Sequence, residues 1–136
     1  MTANLLSRLQ GLTAPDQEVG REVLLAFGWR KTCVGHFYGP LYHWSPPGGG
    51  TGFRDDDFYR HDPTASLDAA VALCERVLPG WWWEIGRRAN SSRSYASIMV
   101  LPRDYAEEPE DWVEGPTPAI ALLIAILTAL EARENG

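Results

Sequence analysis

The chain is poor in the residues that commonly announce a chemistry. It has two cysteines, Cys33 and Cys74, without metal-like spacing, and three histidines, none in an H-x-x-x-H or H-E-x-x-H arrangement. That excludes a disulfide framework and removes the sequence grounds for a zinc site. No serine sits in a G-x-S-x-G elbow, and neither cysteine has an activating neighbour in sequence. Gly48-Gly49-Gly50-Thr51-Gly52 lacks the Lys-Ser/Thr ending of a phosphate loop and reads as a linker. Positive charge is also scarce: 12 Lys and Arg stand against 18 Asp and Glu, a net charge of -6. Broad binding to a phosphate backbone is therefore not expected. There is no internal repeat, no apolar run of the roughly 20 residues needed to cross a bilayer, and no charged-then-apolar secretion pattern. The cytoplasm is the expected location, and no metal or cofactor is implied.

Aromatic and apolar residues are plentiful. The 136 residues suffice for one domain with its own core, and six are tryptophan, more than such a core usually needs. From Ala119 to Leu130 only Thr128 is not apolar. On a helix, Ile120, Leu122, Leu123, Ile124, Ile126, Leu127 and Leu130 sweep an arc of roughly 200°, about twice what a surface helix needs. Ala121, Ala125 and Ala129 form a narrow second stripe. This predicts a buried helix whose broad face lies on a sheet and whose alanine stripe admits another helix, or a second subunit. Thr117 is its expected N-cap, with Pro118 at the first helical position, where a missing N–H costs nothing.

Leu5, Leu6 and Leu9 predict a helix over Ala3–Gln10, ended by Gly11. Thr13 and Asp16 have capping-box spacing and open a second helix carrying Val19, Val23, Leu24 and Phe27. Trp29 to Trp44 reads as two strands joined at Gly39-Pro40. Ser45–Gly52 is too rich in Pro and Gly for regular structure, and Phe53–His61 is expected to be irregular but partly packed. The whole of 45–61 reads as a flexible insert. Asp62-Pro63 opens a third helix with Leu67, Ala70, Val71, Cys74, Val77 and Leu78 on one arc, and Cys74 is expected to be a buried thiol. Trp81–Ile85 and Tyr95–Leu101 form a second hairpin, with Trp81, Trp83 and Ile85 inward and Trp82 and Glu84 outward. Pro102–Gly115 is an acidic connection holding Tyr105 and Trp112. Helices at the start, middle and end with paired strands between them give α+β: a small antiparallel sheet of about four strands sandwiched by helices.

The order of these segments resembles the phage ABA-sandwich domain family, small proteins of bacteriophages and prophages. Four matches carry the likeness: Leu5-Leu6-Ser7-Arg8-Leu9 with Ala14-Pro15-Asp16; Ala26-Phe27-Gly28-Trp29; Thr64-Ala65-Ser66-Leu67-Asp68-Ala69-Ala70 leading to Leu78-Pro79-Gly80-Trp81-Trp82-Trp83; and Thr117-Pro118-Ala119-Ile120-Ala121-Leu122. The resemblance implies an α/β/α sandwich over 1–136 and a phage origin acting in the host cytoplasm. It brings no catalytic residues. The chain departs from it in the long Ser45–Arg60 segment and in three consecutive tryptophans.

Two groups of aromatic and basic residues are candidate ligand contacts. Arg30, Tyr42, His43 and Trp44 belong to the first hairpin. Trp82, Arg87, Arg88, Arg93 and Tyr95 belong to the second. A base stacks on an aromatic face while arginine forks a phosphate, so such groups suit a nucleotide. The same residues are equally those of a core, a solvated hairpin tip or a subunit interface. With no catalytic motif, the expected function is a non-enzymatic phage protein that sequesters a cyclic-nucleotide-like immune signal, as a homo-oligomer built through the last helix. The alternatives are a module that inhibits a host protein by direct binding, a structural phage accessory protein, and, ranked last, hydrolysis of such a signal through His36, His43 or His61.

Overall fold

The computed structural model describes residues 2–87, 91–99 and 112–135. In chain order the elements are α1 (Thr2–Gln10), α2 (Gln17–Ala26), β1 (Arg30–His36), β2 (Pro40–Ser45), β3 (Phe53–Arg54), a 3-10 helix (Asp55–Arg60), α3 (Leu67–Val77), β4 (Trp82–Arg87), β5 (Ser94–Met99), β6 (Val113–Gly115) and α4 (Pro118–Asn135). The class is α+β with antiparallel pairing throughout.

In place of the expected single four-stranded sheet, the described residues form two sheets of three strands, β1-β2-β3 and β4-β5-β6. Each predicted hairpin gains a third strand too short to show a period-2 pattern. β3 has two residues and β6 has three. The supposed insert is therefore part of the fold from Phe53 onward. Phe58 is fully buried, and its ring lies 5.6 Å from that of Trp44 and 6.1 Å from that of Phe53.

α4 is the middle of the molecule. Every residue from Ala119 to Leu127 is 4 % exposed or less, as expected of a helix apolar on all sides. It packs on β4, β5 and β6, and also on α1 and α3. The orientation is the reverse of the one predicted. Ala121 meets β6, where a Cβ added to Gly115 would sit 3.3 Å from its own Cβ, and Ala125 and Ala129 face Ile98 of β5 and Val113 of β6. The alanine stripe thus takes the sheet, and the broad arc on the other side takes α1 and α3. Ala121 and Ala125 are buried within the chain, whereas Thr128 is exposed and Ala129 half-buried. The small side chain of Ala121 allows the close approach at Gly115, while Ala125 and Ala129 face the strands across open space.

The caps follow the same logic of satisfying free N–H groups at helix starts. Thr117 caps α4 as predicted, its hydroxyl accepting from the Ile120 N–H at 3.2 Å. Two other predicted starts move. α2 is capped by Asp16, not Thr13, with Asp16 Oδ1 accepting from Val19 N–H at 3.2 Å. α3 is capped by Ser66, whose hydroxyl accepts from Ala69 N–H at 3.1 Å. Asp62 is inside, 1 % exposed, accepting from the Thr64 N–H at 2.9 Å and the Thr64 hydroxyl at 2.7 Å. The same hydroxyl accepts from Asp16 N–H at 3.0 Å, so one short polar relay joins the starts of α2 and α3. Arg8 of α1 is ion-paired with Glu22 of α2.

Candidate ligand-binding cleft

Strand alternation separates the residues of each predicted cluster. In β2, Tyr42 and Trp44 point to one face and His43 to the other, with Arg30 opposite Ser45 on the His43 side. Trp44 is no ligand contact. It is 0 % exposed, packed among Phe53 and Phe58, and its indole Nε1 donates to Asp55 Oδ1 at 2.7 Å. Its β-sheet position next to aromatic neighbours is as compatible with a core as with a surface, and only the late arrival of Phe53 and Phe58 decides it. Lys31 Nζ covers the Tyr42 ring, 4.4 Å from its centre. His43 Nδ1 lies 3.4 Å from the Ser45 hydroxyl. Arg30 is exposed.

The second cluster divides as well. Trp82, Glu84 and Tyr95 share the face of β4-β5 turned away from α4, while Arg87, paired with Ser94, projects from the other. Trp82 is 53 % exposed. Tyr95 lies across Gly86, where a Cβ would meet its hydroxyl oxygen at 2.7 Å and two ring carbons at 2.8 Å, and its hydroxyl donates to Glu84 Oε1 at 3.4 Å. Arg93 is paired with Glu114 at 3.4 Å. Glu114 thus pairs with one of the three arginines expected to hold a phosphate, and Glu84 accepts from Tyr95. Arg88 lies outside the described residues, as do Tyr105 and most of the acidic connection. Of the tryptophans expected inward, Trp81 is half-buried, whereas Trp83 is 37 % exposed.

A better site lies on the α4 side of the same sheet. Beyond Leu127 the helix continues past its buried stretch, and Ala125, Ala129 and Ala132 leave room between it and the strands. The result is a cleft of about 560 Å³. Trp81, just before β4, and Trp112, just before β6, stand at its walls with Ile98 and Val113, and Arg133 of α4 closes one end. The Arg133 guanidinium carbon is 5.9 Å from the centre of the Trp81 ring, within reach of a cation–π contact. The Trp112 ring meets Tyr95 edge-on at 6.0 Å and 85°, which fixes its plane. The Thr128 hydroxyl donates to the Ile124 carbonyl at 2.7 Å. No carboxylate is among the described lining residues. The cleft joins indoles, an apolar floor and one cation, in a volume typical of small-molecule sites. Sequence reading passed over it because Trp81 looked like core and Arg133 lies past the apolar run. The nearest signal was the spacing Ala125, Ala129, Ala132, which continues the alanine stripe to Arg133.

Burial holds the Cys74 thiol up at about 11, and Cys33 is exposed with its sulfur 3.5 Å from the Gly35 carbonyl oxygen. Among the described residues no group of three His, Cys, Asp or Glu could hold a metal, and no helix is long and apolar enough to cross a membrane. The two perturbed aspartates serve the fold, in opposite senses. Burial raises Asp62 above its ordinary 3.8, only partly offset by the Thr64 bonds. Burial also pushes Asp55 up, but the hydrogen bonds from Trp44 and Arg21 and the charges of Arg21 and Lys31 outweigh it, and it ends below 3.8.

The signs give a prediction. Asp62 binds its proton more tightly folded than unfolded, so its contribution to stability falls as pH rises from 3.8 through its folded value. Asp55 contributes stability above 3.8 and loses it as pH falls through its lower folded value. Asp62→Asn keeps the oxygen that Thr64 needs and removes the charge. Urea unfolding should show the Asp62→Asn variant gaining on the natural protein as pH rises above the ordinary carboxylate range and levelling off below it. A constant difference across pH would contradict the assignment.

Compared with protein-family models, with curated proteins and with solved structures, the chain matches none.

Proposed function

We propose that this chain is a non-catalytic binding protein that holds a small nucleotide-type ligand in the cleft between α4 and β4-β5-β6. Taken with the resemblance to phage ABA-sandwich proteins, this reading makes it a phage factor that sequesters a nucleotide immune signal. One observation carries it: Trp81, Trp112 and Arg133 line a single cleft floored by alanines. A base has aromatic faces to lie against, and its anionic group has a guanidinium to pair with. The carbonyls at the end of α4 carry partial negative charge, so the anion depends on Arg133 and a ligand of low charge fits best.

Calorimetry against cyclic di- and trinucleotides and cyclic ADP-ribose isomers tests this. One member should bind. Arg133→Gln is expected to weaken it about tenfold and Trp81→Ala about ten- to a hundredfold, in line with the worth of a charged hydrogen bond and of base stacking. Trp82→Ala, on the opposite face of the sheet, should change little. Silence across the panel from a folded sample ends the proposal. So does a loss at Trp82 without one at Trp81.

A second reading, inhibition of a host protein by direct binding, has its own observation. At the β1–β2 turn Phe37 is 72 % exposed and Tyr38 99 %, and Val34 nearby is 64 % exposed. Contiguous exposed apolar surface of this kind marks interaction sites. Capture of a host chain that is lost on Phe37→Ser and Tyr38→Ser, but retained on Arg133→Gln, would favour it.

A further inference from the structure

Tyr95 is not among the described residues that line the cleft, yet it is built into the cleft's support. It stands opposite Gly86 in the β4–β5 pairing, on the sheet face turned away from α4. Its place depends on that glycine. A Cβ at Gly86 would stand 2.7 Å from the Tyr95 hydroxyl oxygen and 2.8 Å from two of its ring carbons, so the phenol occupies space that any side chain at 86 would fill. The backbone of Gly86 is not left-handed, so the strand uses its missing side chain and not its conformational freedom. The far end of the phenol is tethered to Glu84, the diagonal neighbour on the same face, at 3.4 Å.

From there the ring reaches Trp112. The two planes cross at 85° with centres 6.0 Å apart, the edge-to-face arrangement that aromatic pairs prefer. Trp112 stands just before β6, an outer strand of the sheet, and lines the cleft on the α4 side. It is half-buried, and it joins the two sides of the sheet. A wall that receives a flat ring binds best when its orientation is set beforehand, since ordering it on binding costs affinity. We infer that Tyr95 is a positioning residue of the cleft, acting through Trp112 from the opposite face of the sheet. This rests on the reading that the cleft takes a ligand with a flat ring. Gly86 and Glu84 belong to the same device: the glycine admits the phenol, and the carboxylate holds its far end. Tyr95, expected from the sequence to touch a ligand, instead sets the surface that does.

The test reads Trp112 and the cleft separately, on the full chain. Near-ultraviolet circular dichroism reports how firmly an indole is held, and the Trp112 share is the difference between the natural protein and Trp112→Phe. Tyr95→Leu should abolish most of that share. Tyr95→Phe keeps the ring and loses only a hydroxyl bonded at 3.4 Å, so it should restore it. Gly86→Ala leaves Tyr95 in the chain but pushes it aside, and should fall between the two. Binding is followed with cyclic AMP, one base and one phosphodiester, by the indole N–H resonances in a proton–nitrogen correlation spectrum. Tyr95→Leu should weaken it about two- to tenfold, the worth of an edge-to-face pair, while Tyr95→Phe binds as the natural protein does. Silence of the natural protein toward cyclic AMP, together with loss of the Trp112 share in Tyr95→Leu, counts against the nucleotide reading and leaves the positioning of Trp112 standing. The inference is overturned if Tyr95→Leu keeps the Trp112 share, if Tyr95→Phe loses it equally, or if cyclic AMP binds Tyr95→Leu as tightly as the natural protein.

Discussion

Trp44→Ala should lower the unfolding free energy by about 4 kcal/mol or more, close to the upper end for loss of a buried aromatic side chain. The indole is fully buried and touches the Phe53 and Phe58 rings, so the vacated space has rigid walls that do not collapse. Polar losses add to the void. Trp44 Nε1 is one of two groups holding Asp55, and the other is Arg21, with Nε 3.1 Å from Oδ1 and Nη2 3.4 Å from Oδ2. Arg21 also covers the Phe58 ring at 4.5 Å. Trp44→Phe separates the two effects. It keeps most of the ring and removes the N–H, and should cost about 1–3 kcal/mol for the under-satisfied carboxylate. Urea unfolding of both variants at neutral pH measures the split. Equal costs for Ala and Phe would mean the ring contacts contribute nothing, contrary to the packing described.

Gly115→Ala should cost about 3 kcal/mol, at the upper end for a group forced into a filled space, and lower the melting temperature by roughly 10 °C. A Cβ there would stand 2.8 Å from the Ala121 nitrogen and 3.0 Å from its Cα. Both are backbone atoms in the first turns of α4, and a helix cannot yield locally as a side-chain tip can. β6 would be pushed off α4, carrying Val113 and the wall of the cleft with it. Gly80→Ala is the instructive comparison. Its φ of +82° is unfavourable for any other residue, but nothing lies within 4 Å of the added carbon. Only the conformational penalty applies, about 1–2 kcal/mol. Thermal unfolding should therefore rank Gly115→Ala clearly below Gly80→Ala, and the reverse order would remove backbone contact as the reason for glycine at 115.

The elements that the residues announced are those with long, regular patterns. α4 and its Thr117 cap, the two long hairpins, the buried Cys74 and the α+β class all follow from runs in which many side chains agree. What the pattern hid was relational. β3 and β6 are too short to have a period, yet they turn one expected sheet into two. An alanine stripe and a leucine arc both say "buried", and neither says which neighbour each will meet. Asp62 and Thr13 have the chemistry of caps, but Asp16 and Ser66 win because the backbone leaves the helix at those residues, freeing Asp62 for the interior. The candidate site suffered most. Aromatic and basic residues adjacent in sequence fall on alternate faces of a strand, so Tyr42 parts from His43 and Trp82 from the cleft. The residues that do share a cleft, Trp81, Trp112 and Arg133, are far apart along the chain, and only the packing of α4 on the second sheet unites them.

That packing also sets an order of events during synthesis. α1, α3 and all three strands of the second sheet are made before the helix they close on, and α1 must find a partner more than a hundred residues downstream. Until that helix leaves the ribosome, the surfaces waiting for it remain greasy and uncovered, which is the condition that recruits chaperones and invites aggregation. The core thus stays open until α4 has been made, and a chain truncated before Pro118 should expose the apolar faces of α1, α3 and the second sheet.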